Sequence, residues 1–321
     1  MDKWLVGVDL GGTTIKMAFV NFDGEIQKKW EIRTDTSNQG ENIVNDIAIA
    51  IDAKLDEVGK NRDDLVGIGI GAPGPINHMN GSVFEGVNLG WKEYPLQEML
   101  SKASQLPVYI ENDANIAALG EMWKGTGASA KDLVCITLGT GVGGGVIVNG
   151  SIVQGASGAA GEIGHTQVVL HNGYDCNCGK TGCLETVASA RGIVRLAMEE
   201  IGDNPNSALY HIFEETGSLS AKDVAYSATE GDQYALKVLD RVSQYLGLTL
   251  ANIANVLNPE IIVIGGGVSK AGSILLDNVR IYFEKYVFER VRKSTKLAIA
   301  TLGNDAGVIG AAWLVKSRLV K

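Results

Sequence analysis

Positive charge is scarce in this chain: 28 Lys and Arg against 37 Asp and Glu leave a net charge of −9 and an isoelectric point near 5.1. No basic cluster or basic amphipathic stretch reverses that balance, so a nucleic-acid footprint is excluded and no nucleic-acid partner is expected. Long apolar runs are missing as well. The N-terminal KWLVGVDL is cut short by Asp and Gly, too soon for a signal-sequence core or a membrane span. It reads as the first β-strand of a cytoplasmic protein with no membrane partner. No linker, repeat array or low-complexity segment interrupts the chain. Cysteine and histidine are few, four of each, so the place where they gather matters.

At 321 residues, 45% apolar and 20% charged, the chain is of ordinary globular composition and exceeds one typical core, which predicts two domains. Its 41 glycines collect in turns directly after strand-like runs. WLVGVDLGGTTIKMAFVNFDGEIQKKWEI reads as strand, Gly-rich turn, strand, Asp-Gly turn, strand. DLVCITLGTGVGGGVIVNGSIVQG repeats that plan with an Asn-Gly turn. Such dipeptides between apolar runs are strong hairpin signals. Each half therefore opens on an antiparallel meander, as expected of a duplicated domain with a cleft between the halves. Helical spacing marks residues 41–58, 184–201 and 233–257, and buried strands are expected at 65–73 and 107–112. The last segment, NDAGVIGAAWLVKSRLV, predicts a helix capped by Asp305, with small residues that permit close packing. The class is α/β.

Three of the four cysteines fall in GEIGHTQVVLHNGYDCNCGKTGCLE (161–185). Cys176, Cys178 and Cys183 are spaced C-x-C-x4-C after His165, and three thiolates with one imidazole make a closed tetrahedral zinc set, the pattern of a structural site. Buried thiols or a disulfide with one spare are the alternatives; a reducing compartment argues against the disulfide. Cys135, in LVCITL, is expected in the core, and His78, His171 and His211 in loops or at the surface. A zinc knot would fix Glu162, His165 and Glu185 in one rigid corner suited to a small polar ligand.

Asp9-Leu-Gly-Gly-Thr-Thr-Ile-Lys16 leads from strand to strand rather than into a helix, which excludes Rossmann and Walker loops. The backbone of Gly11, Gly12, Thr13 and Thr14 can still form an anion nest, with Lys16 as a further donor. Asp9 at the strand end suits magnesium held through water. Gly139, Thr140 and Gly141 supply a second nest, and Gly265, Gly266 and Gly267 a third loop for a nucleoside. Asp113 stands where a strand meets a helix. It reads either as a plain N-cap or as a base accepting a hydroxyl proton during phosphoryl transfer, where positioning outweighs base strength.

With these residues assembled, the chain resembles the ROK family of sugar kinases, and within it the bacterial ATP-dependent glucokinases of Bacillus type. The matching motifs are DLGGTTIK (9–16), APGP (72–75), VNLGW (87–91), ENDAN (111–115), LGTGVGGG (138–145), GEIGH (161–165), CNCGKTGCLE (176–185), IGGGV (264–268) and GNDAGVIGAA (303–312). The resemblance implies a duplicated ribonuclease-H-like, actin/hexokinase-like kinase, with a smaller lobe over 1–112 plus 304–321 and a larger one over 113–303. It implies magnesium-ATP and glucose as substrates, a structural zinc ion and a homodimer. Asp113 matches the base that takes the proton of the sugar 6-hydroxyl, with Asn112, Asn88 and Gly74 on that side of the ring. Glu162, His165 and Glu185 match residues gripping the 1-, 2- and 3-hydroxyls, His165 giving one ring nitrogen to zinc and the other to sugar. Kinases for N-acetylmannosamine, fructose or allose share the motifs, and a non-catalytic sugar sensor is the rival class. Some relatives are repressors with an N-terminal helix-turn-helix, for which a strand beginning at residue 3 leaves no room.

Overall fold

In WLVGVDL, Val6, Val8 and Leu10 fall on one side of the pleat and Leu5 on the other, all fully buried. A strand apolar on both faces belongs in the middle of a sheet. The computed structural model, which describes residues 3–319, places it there. β1 (Trp4–Leu10), β2 (Thr14–Val20) and β3 (Ile26–Arg33) form an antiparallel meander, and β4 (Leu65–Ala72) runs parallel beside β1. A small antiparallel sheet of β5 (Ile76–Asn77), β6 (Ser82–Gly86) and β7 (Trp91–Tyr94) precedes β8 (Val108–Asn112). β8 completes the order β3-β2-β1-β4-β8. The second sheet is built from β9 (Leu133–Leu138), β10 (Val142–Val148), β11 (Ser151–Ile152), β12 (Ile261–Gly265) and β13 (Lys296–Ile299). Its order, β11-β10-β9-β12-β13, repeats the first: a meander, then parallel strands beside its first member. The expected duplication is thus present, and so is Cys135 in the core of β9, 1% exposed.

Packing separates two compact units. One runs to Ser129, resumes over Gly145–Gly161 and again from Leu302; the other holds Ala130–Gly144 and Glu162–Thr301. The first unit carries α1 (Ile43–Glu57), α2 (Leu96–Ser104), α3 (Asp113–Lys124) and the final helix, and so keeps the chain past the expected boundary at 112. Residues 1–2 and 320–321 of the expected ranges lie outside the described residues. The second unit carries α4 (Glu185–Ala188), α5 (Ala190–Glu199), α6 (Ala208–Thr216), α7 (Ala221–Thr229), α8 (Gln233–Leu257), α9 (Ser273–Tyr286) and α10 (Glu289–Ser294); α11 (Ala306–Leu319) returns to the first. Among the described residues no helix is long and apolar enough to cross a membrane.

In the first unit, Val6, Val8 and Leu10 join Ile47 and Ile51 of α1 and Leu96 and Leu100 of α2 in one core cluster. Leu5, Ala18 and Val20 meet Val308, Ala312 and Val315 of α11 in another. The second contact is unusually close. A Cβ on Gly7 would lie 1.9 Å from the carbonyl oxygen of Val308, and one on Gly69 1.8 Å from that of Ala311. Glycine here is a packing requirement that lets helix backbone lie on strand backbone. Asp305 ends a short 3-10 turn before α11, and its carboxylate pairs with Lys29 at 2.7 Å.

The expected helix over 184–201 is broken. Ser189 is extended (φ −73°, ψ 168°), and its hydroxyl accepts from the N–H of Gly192, capping α5. A serine that can cap competes with continuing the helix through it.

Candidate active site

At the end of β8 the chain turns into α3, and the residue that caps the helix is Asn112, not Asp113. Its Oδ1 accepts from the N–H groups of Ala114 (2.9 Å) and Asn115 (3.4 Å). Its Nδ2 donates to the carbonyl of Gly74 at 3.1 Å. Both ends of the Asn112 amide are engaged, so this side chain is held rigidly. Gly74 has φ +92°, and a Cβ there would lie 2.2 Å from the Glu85 carbonyl oxygen; only glycine fits. Asp113 is the first residue of α3 and is exposed, with Oδ1 accepting from the Ala114 N–H at 2.8 Å. A carboxylate here is favoured by the helix N-terminus.

The turn between β1 and β2 holds Gly11, Gly12 and Thr13, while Thr14 and Lys16 lie on β2. Gly11 donates to the Thr14 carbonyl at 3.1 Å, and Thr34 Oγ1 donates to the Gly11 carbonyl at 2.7 Å, so the turn is pinned from both sides. A Cβ on Gly12 would lie 3.2 Å from Cβ of the exposed Asn88, which makes these two expected residues neighbours. Asp9 sits across from Lys16 in the β1–β2 register, their charged atoms 3.9 Å apart. Burial raises the Asp9 carboxyl above its usual range, and Lys16 pulls it part of the way back.

In the second unit the metal pattern closes as expected. The ligand atoms of His165, Cys176, Cys178 and Cys183 lie within 4.8 Å of one another. Around a tetrahedral zinc with Zn–S about 2.3 Å and Zn–N about 2.05 Å, the S···S edge is ~3.75 Å and the N···S edge ~3.55 Å. The observed Cys178–Cys183 separation is 3.7 Å, and Cys176 Sγ stands 3.5 Å from His165 Nδ1. The donors fit zinc. A disulfide requires sulfurs about 2.05 Å apart, and no disulfide is present among the described residues. Burial, then the Cys178 thiol, push the Cys183 thiol up to about 12.

The loop closes because Gly182, at φ +72°, lets backbone pass where a Cβ would lie 2.0 Å from the Val169 carbonyl oxygen. With Nδ1 toward the sulfurs, Nε2 of His165 faces Glu162, 3.9 Å from its Oε2. Glu185 opens α4, and its Oε2 accepts from the Val142 N–H at 2.9 Å. That bond ties the cysteine segment to the turn of Gly139, Thr140 and Gly141. The break at Ser189 serves the same turn, since the Ala190 N–H donates to the Gly139 carbonyl at 2.9 Å. Gly266, at φ +84°, packs on Leu138, where a Cβ would lie 2.4 Å from the carbonyl oxygen; Gly265 ends β12 and Gly267 faces open space.

Three residues emerge that spacing alone did not mark. Glu111, 2% exposed, accepts from Gln154 Nε2 at 3.0 Å and stands 3.5 Å from His78 Nε2. His78 lies in a turn, as expected, and is half-buried against Glu111, while His171 and His211 are exposed as expected. The signal available for Glu111 was a charged residue inside the apolar strand run PVYIEN.

The ROK family pattern matches residues 5–318. A glucokinase of Halalkalibacterium halodurans is 54% identical over 317 residues, 99% of this chain and 96% of that one. A glucokinase of Thermotoga maritima is 39% identical over 98% of each chain. Among solved structures, a ROK family glucokinase from Streptomyces griseus in complex with glucose and AMPPNP matches with a TM-score of 0.82 at 34% identity, over 98% of this chain and 99% of that one.

Proposed function

The chain belongs to the ROK family, and from that premise we propose that it transfers the γ-phosphoryl group of ATP to the 6-hydroxyl of D-glucose. The products are glucose 6-phosphate and ADP. The observation that carries the reading is the exposed Asp113 carboxylate, held at the start of α3 beside a rigid Asn112, in a chain so similar to glucokinases. As the sugar oxygen bonds to phosphorus, the bond to the β–γ bridging oxygen breaks and ADP leaves with the electron pair. The hydroxyl proton passes to Asp113. Such transfers have loose transition states, so the chain contributes orientation and charge stabilisation above all.

Gly11 and Gly139 each spend their N–H inside their own turn. The donors assigned to phosphate are therefore the N–H groups of Gly12, Thr13, Thr140 and Gly141, with the Thr14 hydroxyl and Lys16; Gly265, Gly266 and Gly267 are assigned to the nucleoside. Gly74, Asn88, Asn112, Glu162, His165 and Glu185 are assigned to the sugar. His165, Cys176, Cys178 and Cys183 would hold zinc, which braces Glu162, His165 and Glu185. Magnesium, held through Asp9, would neutralise charge on the phosphates. We further assign the chain to the cytoplasm as a homodimer.

The test is ADP release from magnesium-ATP with glucose, mannose, fructose, N-acetylglucosamine, N-acetylmannosamine and allose. Strongest turnover on glucose is expected. Preference for another sugar moves the substrate; binding without turnover on any of them makes the protein a sensor.

Asp9 supplies a pH test. Because its carboxyl is raised, the neutral form is favoured when folded, and the cost of charging it sets in as pH climbs from the ordinary carboxylate range through the raised value. Asp9→Asn should therefore melt no lower than the parent at neutral pH, while KM for magnesium-ATP rises. In the parent, that KM should climb on acidification earlier than an ordinary Asp would dictate. A pH-independent KM in the parent would remove Asp9 from the magnesium site.

A further inference from the structure

Glu111 takes no part in the chemistry proposed above, yet it is buried beside it. Its Oε1 accepts from the backbone N–H of Asn112 at 2.9 Å and from Asn115 Nδ2 at 3.0 Å, and its Oε2 from Gln154 Nε2 at 3.0 Å. The same Gln154 nitrogen lies 3.1 Å from His78 Nδ1, and His78 Nε2 lies 3.5 Å from Glu111 Oε1. One carboxylate thus gathers the end of β8, the first turn of α3, the turn after β5 and the segment after β11.

Donor counting orders the hydrogens. Gln154 must turn its NH2 toward Glu111, because its carbonyl oxygen would otherwise face another acceptor. That NH2 then donates to His78 Nδ1, which leaves the ring proton on Nε2, the nitrogen facing Glu111. Glu111, Gln154 and His78 each meet a complementary neighbour, whereas the buried Asn115 Oδ1 has no hydrogen-bond partner; a network anchored on a buried carboxylate is stiff. Packing alone does not ask for this: Val108 and Ile110 fill neighbouring positions of β8 with apolar side chains. A carboxylate withdrawn from water is costly unless donors surround it.

We infer that Glu111 is a positioning residue for phosphoryl transfer. It locks the β8–α3 junction through Asn112, Asn115, Gln154 and His78, and so sets the direction of the Asp113 carboxylate. This rests on the reading of Asp113 as the base. Glu111→Gln keeps the shape, but its NH2 meets either the Asn112 N–H or the Gln154 NH2, and relieving the second clash requires the Gln154 amide to flip and the His78 ring proton to move to Nδ1. The exchange Glu111→Gln with Gln154→Glu restores the pairing in reverse: the new amide oxygen accepts from Asn112 and Asn115, and its NH2 donates to the new carboxylate.

In the full chain, Glu111→Gln should lower kcat about 100-fold, as small misplacements of reacting groups do, with both KM values within about threefold. The exchange should recover at least tenfold of that loss, on the order expected of a coupled pair. Amide hydrogen exchange at Ala114 and Asn115 should quicken about tenfold or more in the single variant and return toward the parent in the exchange. Gln154→Leu, which leaves Glu111 in place, should lower kcat about tenfold and carries the test if Glu111→Gln does not fold. Unchanged kcat in the variant measured, or a loss with no recovery in the exchange, overturns the inference. If the parent turns over no hexose, the base assignment falls, while hydrogen exchange still decides whether Glu111 holds the junction: unchanged rates would show that it does not.

Discussion

Asp113→Asn is expected to yield a folded protein that binds glucose and barely turns it over. Asn is nearly isosteric, and its side-chain oxygen can still accept from the Ala114 N–H that Asp113 Oδ1 now takes at 2.8 Å. The cap of α3 is untouched because it belongs to Asn112, whose Oδ1 faces Ala114 and Asn115 and whose Nδ2 is anchored on Gly74. What an amide cannot do is take the proton of the 6-hydroxyl. Loss of a general base typically costs about 10²–10⁴ in rate, so kcat should fall by that amount while the glucose dissociation constant stays within about threefold. ADP release under saturating substrates reads the first, and calorimetric titration with glucose the second. Near-parental kcat would sink the assignment of Asp113 as base. A large loss of glucose affinity with unchanged kcat would make it a sugar-binding residue only.

Loss of the metal should act on sugar binding. Cys183 is 1% exposed and lies 3.7 Å from Cys178 in the ligand cluster; Cys183→Ser removes one of three sulfurs and should abolish the one zinc ion per chain read by metal analysis. His165 Nδ1 would then be released, and with it the orientation of Nε2 toward Glu162. Glu185 follows two residues after Cys183 and also anchors the Val142 N–H, so the disturbance should reach the turn at 139–141. Removing a group that orients a site commonly costs about 10- to 100-fold in affinity or activity, and a loss of that size is expected in glucose affinity. Circular dichroism separates this from unfolding. A zinc-free, folded sample with full glucose affinity would refute the bracing role, whatever the metal contributes to stability.

The two expectations differ in how they were legible. C-x-C-x4-C after a histidine is a local spacing, and ligands that close on one ion within a short loop need nothing from the rest of the chain. The same holds for the meanders, marked by Asp-Gly and Asn-Gly turns, and for α8, whose apolar periodicity matches Gln233–Leu257 end to end. Short-range rules reached their limit at junctions. Asp113 and Asn112 are both good caps, and the choice fell to Asn112 because its amide also reaches Gly74, 38 residues earlier. The helix expected over 184–201 broke at Ser189, where capping α5 frees the Ala190 N–H for the Gly139 carbonyl.

By itself, then, the amino-acid order determined the class, the duplicated strand plan, the glycine turns and the His/Cys cluster suited to a metal, because each depends on residues close together in the chain. Only the tertiary structure decided that Glu111 would be buried against Gln154 and His78, and that Gly7 and Gly69 exist to admit the backbone of α11. It also decided that Glu185 would hold the Val142 N–H. Those outcomes depend on which distant segments the sheet order brings into contact. A side chain's spacing encodes its own face of a strand or helix, and nothing about the partner that will arrive there.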